Sequence, residues 1–224
     1  MTARLEALLF DVGGVLVDVE FRNAFESWAR CAGVSADSIA ARFKVTAEYE
    51  AHERGELSGA QYFASLRRLL GIDIPDQAFE TGWNAIFRGT YPGAAELLAK
   101  LATHTPVYLF SNTNALHYAC WRVLYPQIIT PVTKVFCSQE IGLRKPSVAS
   151  FEKVCASIGA TPARIAFFDD LAENIAGAQQ AGLRSFHVGS AHHLRETVEH
   201  ALQHDLEHAR TGTGLLADAV RKVL

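Results

Sequence analysis

Asp11 ends an apolar run, Ala7-Leu8-Leu9-Phe10, and is followed at once by Val12-Gly13-Gly14. A short apolar run that stops at turn-forming residues reads as a buried parallel strand, which puts this carboxylate at the strand's carboxyl end. Other strand-like runs lead to chemistry-bearing residues in the same way. Val107-Tyr108-Leu109-Phe110 stops at Ser111-Asn112, Lys134-Val135-Phe136-Cys137 leads to a loop carrying Lys145, and Ile165-Ala166-Phe167-Phe168 stops at Asp169-Asp170. Parallel strands gather such ends on one sheet edge, where ligands bind. Carboxylates converging there repel one another unless a divalent cation joins them, and Mg²⁺ suits a few carboxylates, a carbonyl and waters. A lysine and a serine beside it point to a phosphate group. Taken singly, Asp11 has a plainer reading as a cap on the following segment. The repetition at several strand ends favours a site.

The elements that must hold these residues fall into two kinds. From about Phe21 to Tyr91 the chain shows helical periodicity (Phe21, Phe25, Trp28; Ile39, Phe43; Tyr62, Phe63, Leu66, Leu69, Leu70), and no strand is expected there. Breaks fall at Gly33, Gly55 and Gly71 to Pro75, with Ser35 and Ser58 as N-caps. About four helices result. From Pro92 onward strands alternate with helices, which implies crossover units. The fold class expected is α/β: a Rossmann-like parallel sheet core with helices on both faces (residues 1–16 and 92–224) and an all-helical cap (residues 17–91) inserted after the first strand.

With 224 residues, 49% hydrophobic and 20% charged, the chain can bury a large core. A net charge of −3 and the lack of a long Lys/Arg block give no attraction for nucleic acid. No uncharged apolar run approaches the roughly 18 residues that a membrane span needs. A secretory signal is not expected either, because the Asp11 strand lies where its apolar part would be, so a cytoplasmic location is expected. Cys31, Cys120, Cys137 and Cys155 lack metal-site spacing and are expected to be reduced packing thiols.

Phe10-Asp11-Val12-Gly13-Gly14-Val15-Leu16, Leu109-Phe110-Ser111-Asn112-Thr113, Arg144-Lys145-Pro146, and Phe167-Phe168-Asp169-Asp170 with Glu173-Asn174, in that order and with a cap between the first two, resemble the haloacid dehalogenase-like hydrolases. Within that superfamily the pattern, with His52-Glu53-Arg54-Gly55-Glu56 in the cap and Ser111-Asn112-Thr113-Asn114, is most similar to bacterial phosphatases of glucose 1-phosphate. The resemblance implies a Mg²⁺-dependent phosphatase acting on a small phosphorylated metabolite through an aspartyl-phosphate on Asp11. It further implies that Asp11, the Gly13 carbonyl, Asp169 and Asp170 hold the metal and that Lys145 offsets charge. Ser111, the Asn112 N–H and Gly14 would hold the phosphoryl group.

One position departs from the family pattern. Most such phosphatases carry a second Asp two residues after the nucleophile as general acid and base, and here Gly13 stands in its place. That acid is worth about 10² to 10⁴ in rate, so either its loss favours substrates whose leaving group needs little protonation, such as sugar 1-phosphates or acyl phosphates, or a cap residue such as His52 or Glu53 supplies the proton instead. The 2-haloacid dehalogenases share the nucleophile and lack the second Asp, but are not expected to keep the Asp169-Asp170 pair; a silent phospho-ligand binder is a further alternative.

Other residues admit two readings. His52 and Glu53 either face the site as substrate-binding groups or lie on a surface turn. Asp18 caps the first cap helix or marks the hinge. Phe79, Trp83 and Phe87 read as cap core, Tyr118 and Trp121 as packing, and Asn114 and His117 as a helix start or cleft lining. Leu194, Val198, Leu202 and Leu206 form a stripe on a helix over residues 191–208, whose His200, His204 and His208 read as a solvated face rather than metal ligands. A short helix is expected over residues 215–224. Whether this tail packs on the sheet or meets a second subunit is left open.

Overall fold

Ala7–Phe10 (β1) is buried along its whole length at the centre of a five-stranded sheet. In this computed structural model, which describes residues 4–209, its neighbours are Val107–Ser111 (β4) and Ile165–Asp169 (β6). Lys134–Cys137 (β5) and Arg184–His187 (β7) form the edges, and the order is β5-β4-β1-β6-β7. Every pairing in this sheet is parallel. The register sets Phe10 beside Leu109 and Phe168, so Asp11, Ser111 and Asp169 leave the sheet at one edge.

Alternation along each strand builds a core on both faces. Leu8, Phe10, Leu109 and Phe168 pack with Leu97 and Leu98 of the helix Ala94–Ala102, and with Leu194, Val198 and Leu202 of the helix Leu194–Ala209. Leu9, Phe110 and Phe167 pack on the other face with Phe151 and Val154 of the helix Val148–Ile158. The C-terminal helix therefore covers the sheet, and its buried Asp205 accepts hydrogen bonds from the Leu5 N–H at 3.1 Å and from Arg184 at 2.7 Å. The side chains of His204, Leu206 and His208, and the helix expected over residues 215–224, lie outside the described residues. No helix among those described is long and apolar enough to cross a membrane.

The cap consists of the helices Phe21–Ala32 (α1), Ala36–Ala40 (α2), Ala47–Glu53 (α3), Gly59–Leu70 (α4) and Asp76–Asn84 (α5). Ser35 and Ser58 are N-caps as expected, the latter in a capping box with Gln61. Trp28, Tyr62, Phe63, Phe79 and Trp83 form a core of its own. Gly82 is required there, since a Cβ would lie 2.2 Å from the Trp28 Nε1, which donates to the Phe79 carbonyl at 3.0 Å.

The expectation of no strand between Phe21 and Tyr91 is corrected at its end. Phe87–Thr90 (β3) pairs antiparallel with Val17–Val19 (β2), and this two-stranded hinge joins cap to core. Phe87 thus belongs to a strand rather than to a helical stripe. Asp18 lies in the hinge and pairs with Arg88 at 3.2 Å, while Glu20 caps α1 by accepting from the Arg22 N–H. Cys137 and Cys155 are buried, but Cys31 is exposed because it falls on the solvent face of α1, so it is not a packing thiol.

Candidate active site

Three carboxylates meet at the strand ends. Asp11, Asp169 and Asp170 each offer an oxygen within 4.8 Å of the others. One ammonium stands among them: Lys145 Nζ donates to Asp11 Oδ1 and Asp169 Oδ2, both at 2.7 Å. Lys145 is almost wholly buried, and its ammonium lies 5.3 Å and 5.4 Å from the ring centroids of Phe110 and Phe167. Burial alone would lower its pKa, but the two carboxylates outweigh that and hold it above its ordinary value.

Asp11 and Asp170 are raised as well, which for a carboxylate favours the neutral form. Burial, aided by repulsion from Asp169 and Asp170 and opposed by Lys145, pushes Asp11 up to about 7. Burial and the Asp169 charge likewise raise Asp170. Three carboxylates against one ammonium leave two negative charges, the charge that one divalent cation supplies, so the donor set fits Mg²⁺. Asp169 is the most committed of the three. Besides Lys145 it accepts from the Leu171 N–H at 2.8 Å and from Asn174 Nδ2 at 3.0 Å on both oxygens.

Glycine at position 14 makes the cluster possible: its φ is +80°, and a Cβ would lie 2.3 Å from Asp170 Oδ2. Its N–H is spent on the Val17 carbonyl at 2.9 Å, so its part is room rather than the phosphate contact expected of it. Ser111 is buried and lines the same cavity, of about 430 Å³, as Asp11, Gly13, Gly14, Asn112, Lys145 and Asp170.

A family profile described as haloacid dehalogenase-like hydrolase matches residues 5–182. The chain belongs to the haloacid dehalogenase-like hydrolases. Among curated relatives of this hydrolase, a D-ribitol-5-phosphate phosphatase of Bacteroides thetaiotaomicron is 24% identical over 187 residues, covering 81% of this chain and 91% of the relative. A phosphatase of Mycobacterium tuberculosis is 26% identical over 202 residues, covering 87% and 92%. Among solved structures, a family enzyme from Bacteroides thetaiotaomicron in complex with magnesium and inorganic phosphate superposes with a TM-score of 0.72 at 25% identity, covering 82% of this chain and 93% of that one.

The cap of this hydrolase closes over the cavity and supplies part of its lining. Glu53 reaches it, buried and bonded through Oε2 to Arg144 Nε at 2.8 Å. His52 is not among the lining residues. Its ring stacks on Tyr62 with centroids 4.7 Å apart and its Nδ1 pairs with the Leu57 carbonyl at 2.9 Å, so it packs within the cap instead of facing substrate. Burial lowers its pKa, and the backbone of Leu57 and the side chain of Asn114 only partly oppose this.

His117 proves to be both cleft lining and helix start. Asn114 caps the helix Ala115–Leu124, its Oδ1 accepting from the His117 N–H at 3.0 Å. The His117 Nε2 then donates to the Trp83 carbonyl at 2.9 Å, which leaves Nδ1 to accept from Asn114 Nδ2 at 3.1 Å and joins core to cap. Sequence reasoning also missed a clamp: Asn112 bonds the backbone of Lys145 with its side-chain amide. No local pattern announces it, since the partners are 33 residues apart in the chain, with helices and β5 between them.

Proposed function

We propose that this hydrolase is a Mg²⁺-dependent phosphatase of a small phosphorylated metabolite, with a sugar 1-phosphate as the favoured substrate. The observation that carries the reading is the convergence of Asp11, Lys145, Asp169 and Asp170 on one cavity beside Ser111. The curated relatives reported above are phosphatases, which supports it.

With Oδ1 occupied by Lys145, Asp11 Oδ2 is the oxygen left to attack phosphorus in line. The bond to the leaving oxygen breaks as the aspartyl-phosphate forms, and water then attacks phosphorus, regenerating the Asp11 carboxylate and releasing phosphate. Asp11, the Gly13 carbonyl and Asp170 would hold Mg²⁺, which supplies charge compensation for the phosphoryl oxygens. Asp169, already committed to Lys145 and Asn174, orients the ammonium and would complete the metal set directly or through water. Lys145 balances charge on Asp11 and the phosphoryl group, while the Ser111 hydroxyl and the Asn112 N–H hold phosphoryl oxygens. Beyond the nucleophile Asp11, every role is electrostatic or positional, as phosphoryl transfer requires.

Gly13 bears on the choice of substrate. A Cβ there would meet Val19 Cγ2 at 3.4 Å, so the hinge strand presents an apolar side chain beside the position where family members carry an acid. A leaving group that departs with little protonation is favoured, and an anomeric oxygen is better in this respect than an ordinary alcohol.

The test is phosphate release from sugar 1-phosphates, sugar 6-phosphates, acyl phosphates and phenyl phosphate, with Mg²⁺ and with chelator, for the native chain and Asp11→Asn. Metal-dependent release that vanishes in the variant is the expected result. Release that survives in Asp11→Asn, or no release from any ester, would overturn the reading.

A further inference from the structure

The cavity has a second polar pole, away from the carboxylate cluster. Glu53, at the end of α3, is only 5% exposed, and its partner Arg144 comes from the core, one residue before Lys145. Arg144 also donates through Nη1 to Glu50 at 2.9 Å. Both Glu53 and Arg144 line the cavity that holds Asp11. The cap and hinge side of that cavity is otherwise largely apolar, with Val17, Val19, Phe21, Ile86 and Phe87 along it.

This arrangement asks for an explanation beyond closure. A pair such as Arg144 with the half-exposed Glu50 suffices to tie cap to core, because the carboxylate stays partly solvated. Placing a second carboxylate in the cavity wall carries a desolvation cost, which the guanidinium offsets. Burial raises the Glu53 pKa, and Arg144 is the main group opposing that rise, followed by Tyr49 and Lys145. A carboxylate accepts only, a guanidinium donates only, and set side by side they match neighbouring hydroxyl groups, each of which can donate and accept.

We propose that Glu53 and Arg144 form the recognition pole for a polyhydroxylated leaving group. Glu53 accepts a hydrogen bond from one hydroxyl, Arg144 donates to its neighbour, and the C–H face of the group lies on the apolar wall of Val19 and Phe87. Because one partner is in the cap and the other in the core, a hydroxylated substrate is read by both halves at once. The proposal rests on the phosphatase reading and adds to it the feature by which substrates are chosen.

The experiment compares kcat/KM for a hexose 1-phosphate and a pentitol phosphate with that for phenyl phosphate, in the native chain, Glu53→Leu and Glu53→Gln, each with its melting temperature. Loss of a hydrogen-bonded hydroxyl partner costs about 10- to 100-fold. Glu53→Leu is therefore expected to lose that much more on the hydroxylated esters than on phenyl phosphate, chiefly in KM. Glu53→Gln, which keeps an acceptor oxygen, should recover part of it. If the Leu variant does not fold, the Gln variant's ratio of losses decides. Equal losses on all esters would mark Glu53 as a closure contact only and overturn the proposal, as would no loss on any. Native turnover of phenyl phosphate with none of the hydroxylated esters would overturn it while leaving the phosphatase reading intact. No release from any ester would instead overturn that reading itself.

Discussion

The side chain of Asn112 is clamped on the backbone of Lys145, its Oδ1 accepting from the Lys145 N–H at 2.8 Å and its Nδ2 donating to the Lys145 carbonyl at 2.9 Å. The loop after β4 thereby fixes the height of the lysine whose ammonium sits between Asp11 and Asp169. Asn112→Ala removes both bonds and leaves two backbone groups without their partner. We expect a stability loss of about 1–3 kcal/mol in urea melts, with kcat on phenyl phosphate lowered about 10- to 100-fold by the misplaced ammonium. An unchanged kcat would show that Lys145 holds its position without the clamp.

Charge balance at the cluster predicts opposite stabilities for two inactive variants. Lys145→Met leaves Asp11 and Asp169 buried together without a counter-charge, and without metal should cost about 3–5 kcal/mol. Asp11→Asn removes a carboxylate that burial and its neighbours already push up to about 7, so it should be neutral or stabilising under the same conditions. Mg²⁺ should raise the melting temperature of the native chain and do so less in Asp170→Asn. Calorimetry with Mg²⁺ and with chelator checks all of this, and an Asp11→Asn variant as unstable as Lys145→Met would contradict it.

What the sequence disclosed, and what it hid, follows from the range of each interaction. Asp11, Ser111, Lys145, Asp169 and Asp170 were legible because a parallel sheet brings its strand ends together wherever they lie in the chain. Ser35 and Ser58 were legible as caps because a cap bonds within three residues. The β2–β3 hinge was not, since its two short segments lie on either side of the cap in the chain and no local pattern shows that they pair. Asp18 was open between capping the first cap helix and marking the hinge; its place in β2 puts it in the hinge, and Glu20, two residues on, caps α1 through its side chain. His52 and Glu53 are neighbours on one helical turn, about 100° apart around its axis, and periodicity does not tell which faces the cavity.

His117 gives the fold a pH dependence of definite sign. Burial lowers its pKa from 6.5 to about 3, so the folded imidazole stays neutral where the unfolded one takes up a proton. The unfolded state therefore binds more protons between those values, and stability is lost as pH falls below 6.5 toward 3. The contribution of this one group has a slope of about 1.4 kcal/mol per pH unit. His117→Gln should remove that slope, although the variant is less stable at neutral pH for want of its bonds to Trp83 and Asn114. Urea denaturation of both proteins across the acid range measures the difference, and parallel curves would contradict it.

Positions 13 and 14 should respond oppositely to a side chain. Gly14 has a φ of +80° and no room beside Asp170, so Gly14→Ala should displace that carboxylate, weakening Mg²⁺ binding and activity together. Gly13 lies outside the positive-φ glycines, and a Cβ there meets only Val19 at an ordinary 3.4 Å. Gly13→Asp should therefore fold and place a proton donor beside the leaving oxygen. A general acid contributes about 10² to 10⁴ in rate where protonation limits departure, so the gain should appear on alkyl phosphates and be small on sugar 1-phosphates. Measuring both substrates in the same preparation separates the explanations. A selective gain means that the native chain chooses its substrates partly by lacking this acid; an equal change on both means that the leaving group is protonated from elsewhere in the cavity.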